Sequence, residues 1–73
     1  MGIGERITAA REAKGMTMEE LGKKVGVGKS AISRWESDKR TPRIEHLFRL
    51  SALLDVDVNY LVNGRKSGAA VAQ

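Results

Sequence analysis

The 73-residue chain has no cysteine and a single histidine, His46. The first absence excludes disulfides and thiolate metal sites. The second argues against a histidine-based metal cluster and against a Ser-His-Asp array. Aromatic residues are scarce: Trp35, Phe48 and Tyr60 are too few for the row of stacking platforms with which single strands are held. No apolar run approaches the roughly 18 residues that span a bilayer. Met1 to Glu12 is charged and lacks the apolar centre of a signal peptide. The expected location is therefore the cytoplasm, on the nucleoid, with no membrane partner. A chain this short makes one domain. It buries only about 60% of the surface its unfolded form exposes, which leaves no room for a deep cleft between two layers. Neither an enzyme, nor a cofactor, nor a small-molecule substrate is expected. Glu19 and Glu20 are adjacent and so do not face each other on a helix, and no nucleophile has a base beside it.

The net charge is +4, and its placement is uneven. Residues 23–43 carry Lys23, Lys24, Lys29, Arg34, Lys39, Arg40 and Arg43 against only Glu36 and Asp38, while the rest of the chain is slightly acidic. A basic segment of this kind suits a polyanion. A solvated face that aids solubility is the alternative on charge alone.

Apolar spacing is helical nearly throughout, with no sustained period-2 alternation. Ile3, Ile7 and Ala10 predict a first helix over 4–14, closed by Gly15. Thr17-Met18-Glu19-Glu20 is a capping box, in which the Thr17 hydroxyl and the Glu20 carboxylate each accept from the other's backbone N–H. It predicts a second helix over 18–25, with Leu21 and Val25 inward. Gly26-Val27-Gly28 makes a tight connection in which Val27 plugs the corner. A third helix follows over 29–37. Ala31, Ile32 and Trp35 take one side of it, and Ser30, Ser33, Arg34 and Ser37 the other, with Lys29 beside them. Asp38 to Thr41 is a polar loop. Pro42 suits the first position of a fourth helix, with Thr41 as its N-cap and Ile44, Leu47, Phe48, Ser51 and Leu54 as its buried stripe. A fifth helix starts near Asp57 and ends before Gly64. Residues 1–64 are thus expected to form an all-α, five-helix bundle, and 65–73 a tail or the start of a linker.

Two short helices joined by a glycine-containing turn form a helix-turn-helix. The exposed side of the second is small, polar and basic, as a major groove requires. Arg34 lies mid-face, with a forked guanidinium suited to guanine. Lys29 and Ser30 occupy the N-terminal end, where base edges are touched, and Ser33 stands beside them. The competing role for Arg34 is a surface ion pair with Asp38 at i, i+4. Lys39, Arg40 and Arg43 are placed for phosphate contact, and Arg43 also for a minor groove; an ordinary solvated loop is the alternative. The backbone N–H groups of Thr17 and Met18, with the Thr17 hydroxyl, can hold a phosphate at a helix N-terminus; simple capping is the alternative. Trp35 is expected in the core and Glu36 in a structural ion pair with Arg11. His46 is expected on the surface.

The residues Arg6-Ile7, Ala10-Arg11-Glu12, Gly15, Thr17, Glu19-Glu20-Leu21-Gly22, Val25-Gly26-Val27, Ala31-Ile32-Ser33, Trp35-Glu36, Arg40 and Pro42 together resemble the phage Cro/repressor family of helix-turn-helix domains. So do Leu47, Leu50, Leu53-Leu54, Val56, Leu61 and Gly64, and the likeness to the N-terminal domains of lambdoid repressors is particular. The resemblance implies the lambda-repressor-like five-helix bundle, bound as a homodimer to a palindromic operator in double-stranded DNA. It implies base contacts for Lys29, Ser30 and Arg34, nearby phosphate for Thr17, Met18, Ser37 and Arg43, and a dimer contact at Val58, Leu61 and Val62. Gly28 departs from the serine or threonine often found at its position in the family.

Two function classes follow. One is a sequence-specific transcriptional regulator, in particular a repressor. The other is a protein-interaction module of the same fold, as in antitoxins and coactivators. Agreement of Lys29, Arg34 and the basic loop in charge and place favours the first.

Overall fold

The computed structural model describes residues 2–64 and contains five α-helices there: α1 Ile3–Ala13, α2 Met18–Val25, α3 Lys29–Glu36, α4 Ile44–Leu54 and α5 Val58–Asn63. The expected tail, 65–73, lies outside the described residues. Every helix sends at least one fully enclosed side chain to the centre: Ile7 from α1, Leu21 and Val25 from α2, Ile32 from α3, Leu50 from α4 and Leu61 from α5. Each such burial contributes about 1.5–3 kcal/mol. Around this centre α2 packs on α3 and α4, α3 on α1, and α5 on α1 and α4.

The helix ends follow from local chemistry. Both halves of the capping box form at α2, with Glu20 N–H donating to Thr17 Oγ1 at 3.0 Å and Thr17 N–H to Glu20 Oε1 at 2.8 Å. At α5 the Asp57 carboxylate accepts from Asn59 N–H at 2.8 Å. The other end of α5 is held from a distance. The buried Arg6 donates from Nε to Leu61 O and from Nη2 to Val62 O, both at 2.9 Å. A cation at those terminal carbonyls also matches the helix dipole.

The fourth helix differs from expectation in its start and its facing. It begins at Ile44, with Arg43 rather than Thr41 at the N-cap. Pro42 is buried and lies two residues ahead of the helix rather than at its first position. The buried stripe is Leu47, Leu50 and Leu54, whereas Ile44 and Phe48 are each 59% exposed. At about 100° per residue, Phe48 points well away from the direction shared by Leu47, Leu50 and Leu54, and Ile44 falls on that same outer flank. His46 is half-buried rather than on the surface. Its ring lies 5.1 Å from that of Trp35 at 42°, and its Nδ1 is enclosed without a partner among the described residues.

Candidate nucleic-acid interface

The turn between α2 and α3 is tight because Gly22 has no side chain. A Cβ there would lie 2.8 Å from Val27 O, inside any real contact. Gly26 N–H and Val27 N–H both donate to Gly22 O at 2.8 Å, which closes α2 and brings the chain round to Gly28, the N-cap of α3. Val27 packs against the core at the corner, as expected.

α3 then presents two unlike sides. Ile32 and Trp35 are buried, and Ala31 packs partly against the core. Lys29, Ser30, Ser33, Arg34 and Ser37 are all exposed. The helix is held by its C-terminal end. Glu36 accepts from Arg11 Nε at 2.7 Å, from Arg11 Nη2 at 3.1 Å and from Thr8 Oγ1 at 2.9 Å. The hydrogen bond and charge of Glu36 hold the Arg11 pKa above its ordinary value. This is the ion pair expected for Glu36. Thr8 joins it unannounced by the sequence, since a threonine beside an acid 28 positions away leaves no local pattern.

Arg34 does not pair with Asp38. The Asp38 carboxylate turns instead toward α1 and accepts from Gly4 N–H at 3.0 Å. Among the described residues none of Lys29, Arg34, Lys39, Arg40 or Arg43 forms an ion pair, so these five cations remain open to an external anion. Arg34, Arg40 and Arg43 converge on a shallow cleft of about 290 Å³ between α3 and the start of α4, with Trp35 and His46 among its walls. Arg43 gives α4 no side-chain cap, and the first-turn N–H groups of that helix add a positive end beside the same cleft.

The remaining expected contacts fare differently. The Thr17 N–H is engaged by Glu20, so Thr17 offers its hydroxyl proton, and Met18, half-buried against the core, offers its backbone N–H. The Ser37 hydroxyl donates to Ser33 O at 2.9 Å and closes α3. Leu61 has no exposed surface and belongs to the core, which removes it as a dimer contact. Val58 is half-buried and Val62 is 36% exposed. Among the described residues no cluster of His, Asp or Glu could hold a metal ion. No described helix is long and apolar enough to cross a membrane.

Comparison with known proteins agrees with this geometry. A helix-turn-helix family model matches residues 7–61. The chain is 41% identical to the repressor protein C2 of Salmonella phage P22 over 96% of its own length and 32% of that protein's. It is 45% identical to the HTH-type transcriptional regulator SinR of Bacillus licheniformis over 84% of its length and 56% of that protein's. It therefore spans from a third to just over half of these curated relatives. Among solved structures, the P22 c2 repressor in complex with a synthetic operator superposes with a TM-score of 0.86 at 40% identity, covering 89% of this chain and 98% of that one. SinR in complex with DNA superposes at 0.75 with 45% identity, covering 81% of this chain and 95% of that one. By family model, identity and fold, this chain belongs to the helix-turn-helix family, and its relatives include repressors of the phage type.

Proposed function

We propose that this chain is a sequence-specific double-stranded-DNA-binding transcriptional regulator, a repressor that lays α3 in the major groove of a palindromic operator. One observation carries the reading: α3 keeps an exposed, unpaired basic and serine face on a bundle that matches a repressor solved on operator DNA. Lys29, Ser30, Ser33 and Arg34 read base edges. Lys39, Arg40 and Arg43 neutralise phosphates, with Thr17, Met18 and Ser37 at the flanks. The protein works as a homodimer, in the cytoplasm on the nucleoid. Val58 and Val62 remain the dimer contacts from α5, joined by the exposed Ile44 and Phe48 of α4.

Selection of duplexes from a random library by the purified chain, followed by a salt titration on the winner, tests the reading. The expected result is an inverted repeat with half-site centres about 10 bp apart and affinity that falls steeply with salt. Absence of any enriched sequence would favour a protein-interaction module.

A further inference from the structure

α3 ends in a Schellman arrangement, with Lys39 N–H donating to Arg34 O at 2.9 Å and Asp38 N–H to Trp35 O at 3.2 Å. Such an ending requires a left-handed residue just past the cap, and Asp38 fills it at φ 62°. Glycine is the usual occupant, because a Cβ is disfavoured there. What aspartate adds is a carboxylate, and that carboxylate reaches α1. Its Oδ1 accepts from Gly4 N–H at 3.0 Å, across 34 positions of sequence. α1 has use for the acceptor, since its own N-cap, Gly2, makes no side-chain hydrogen bond. The negative charge also faces the positive end of the α1 dipole.

The fit is close on the α1 side. A Cβ on Gly4 would lie 2.3 Å from Glu36 O and 2.6 Å from Trp35 O, so the last carbonyls of α3 occupy space that any side chain would deny them. A Cβ on Gly2 would strike Asp38 Oδ2 at 2.8 Å. The start of α1 and the end of α3 therefore interlock, with Asp38 as the tie.

We infer that Asp38 is a positioning residue for DNA recognition: by capping α1 in place of Gly2, it sets the tilt and axial placement of the recognition helix. The inference rests on the DNA-binding reading above. Ile32 and Trp35 seat α3 by apolar contact, which is non-directional and permits small swings of an eight-residue helix. Glu36 ties the helix at one point and Asp38 ties its end at another, and two ties remove a swing that one allows. Base readout depends on donors held in hydrogen-bonding geometry, whereas phosphate contacts carry no sequence information. Loss of the second tie therefore weakens sequence preference more than it weakens general affinity for DNA.

Two variants separate the carboxylate from the backbone. Asp38→Gly keeps the left-handed turn and removes the acceptor. Asp38→Asn keeps both the turn and an Oδ1 acceptor and removes only the charge. Each full chain is measured on the duplex the wild type selects and on an unrelated duplex, well below its melting temperature, with Gly4 amide exchange followed by NMR. In Asp38→Gly, Gly4 exchange accelerates, affinity for the selected duplex falls about fivefold, the low end of what one impaired base contact costs, and affinity for the unrelated duplex stays at the wild-type level. Asp38→Asn recovers most of the preference. Equal losses on both duplexes, or an unchanged preference in Asp38→Gly, would overturn the positioning role while leaving the DNA reading intact. A wild-type chain that selects no duplex would overturn both.

Discussion

Arg11 on α1 and Glu36 in the last turn of α3 face each other through two hydrogen bonds, of 2.7 and 3.1 Å, with only 5% of the Glu36 side chain exposed. Arg11 Nη1 also donates to Met16 O at 2.8 Å, so one guanidinium joins α3 to the segment that leads into α2. Arg11→Ala leaves a buried carboxylate with Thr8 as its remaining side-chain partner. Removing one member of a buried pair costs about 3–5 kcal/mol, and the slight exposure of Arg11 puts the loss at the lower end, about 3 kcal/mol. For a domain of this size that is a drop in melting temperature of well over ~10 °C, to be read by circular dichroism. An unchanged midpoint would remove the pair from the energetics of the fold. The folded Arg11 pKa is raised above the ordinary guanidinium value, so its contribution is fully present below that strongly alkaline value and is lost only as pH rises through the still higher folded one. Melting curves across the neutral range will show no step from this guanidinium.

The elements with local punctuation are legible in the sequence. Thr17 and Glu20 bracket the start of α2, and the alternation of Ile32 and Trp35 with serines and Arg34 sets which side of α3 is free. What is not legible has a common cause. Arg6 on the α5 carbonyls, Thr8 on Glu36 and Asp38 on Gly4 are ties between distant segments, and no spacing announces them. In α4 the composition shows an apolar helix but offers more apolar positions than the core can take. Leu47, Leu50 and Leu54 win the interior, and Ile44 and Phe48 are left outside.

Arg34 and Arg40 line the same cleft but are assigned different work, and DNA binding separates them. Arg34→Ala is expected to cost about 1–3 kcal/mol on the selected duplex and to relax preference at one base pair. Arg40→Ala should weaken every duplex alike and lower the slope of log affinity against log salt by about 1. Uniform loss in Arg34→Ala would move that residue to the phosphates.

Gly28 caps α3 in ordinary extended backbone, at φ −83° and ψ 166°, and makes no side-chain hydrogen bond. A Cβ there would meet only Ser30 Oγ, at 3.9 Å, so serine fits without displacing anything. Gly28→Ser supplies a side-chain oxygen to the first turn of α3, where Ala31 N–H has only Gly28 O at 3.1 Å, and should stabilise the chain by a few tenths of a kcal/mol, roughly 1–3 °C in melting temperature. A lower midpoint would mean that the hydroxyl fails to cap α3.

Phe48 and Leu61 are both large apolar residues on neighbouring helices, yet one is 59% exposed and the other fully enclosed. Leu61→Ala opens a cavity and should cost about 2–5 kcal/mol of stability in the monomer. Phe48→Ser removes a side chain that is mostly exposed, and its effect on the dilute monomer should stay within about 1 kcal/mol. If Phe48 and Ile44 meet a second copy, Phe48→Ser loses affinity for a full inverted repeat while keeping its affinity for a single half-site. Titration of both duplexes by fluorescence anisotropy makes the comparison. Equal affinities of wild type and variant on the full repeat would place the dimer contact elsewhere and leave Val58 and Val62 to carry it.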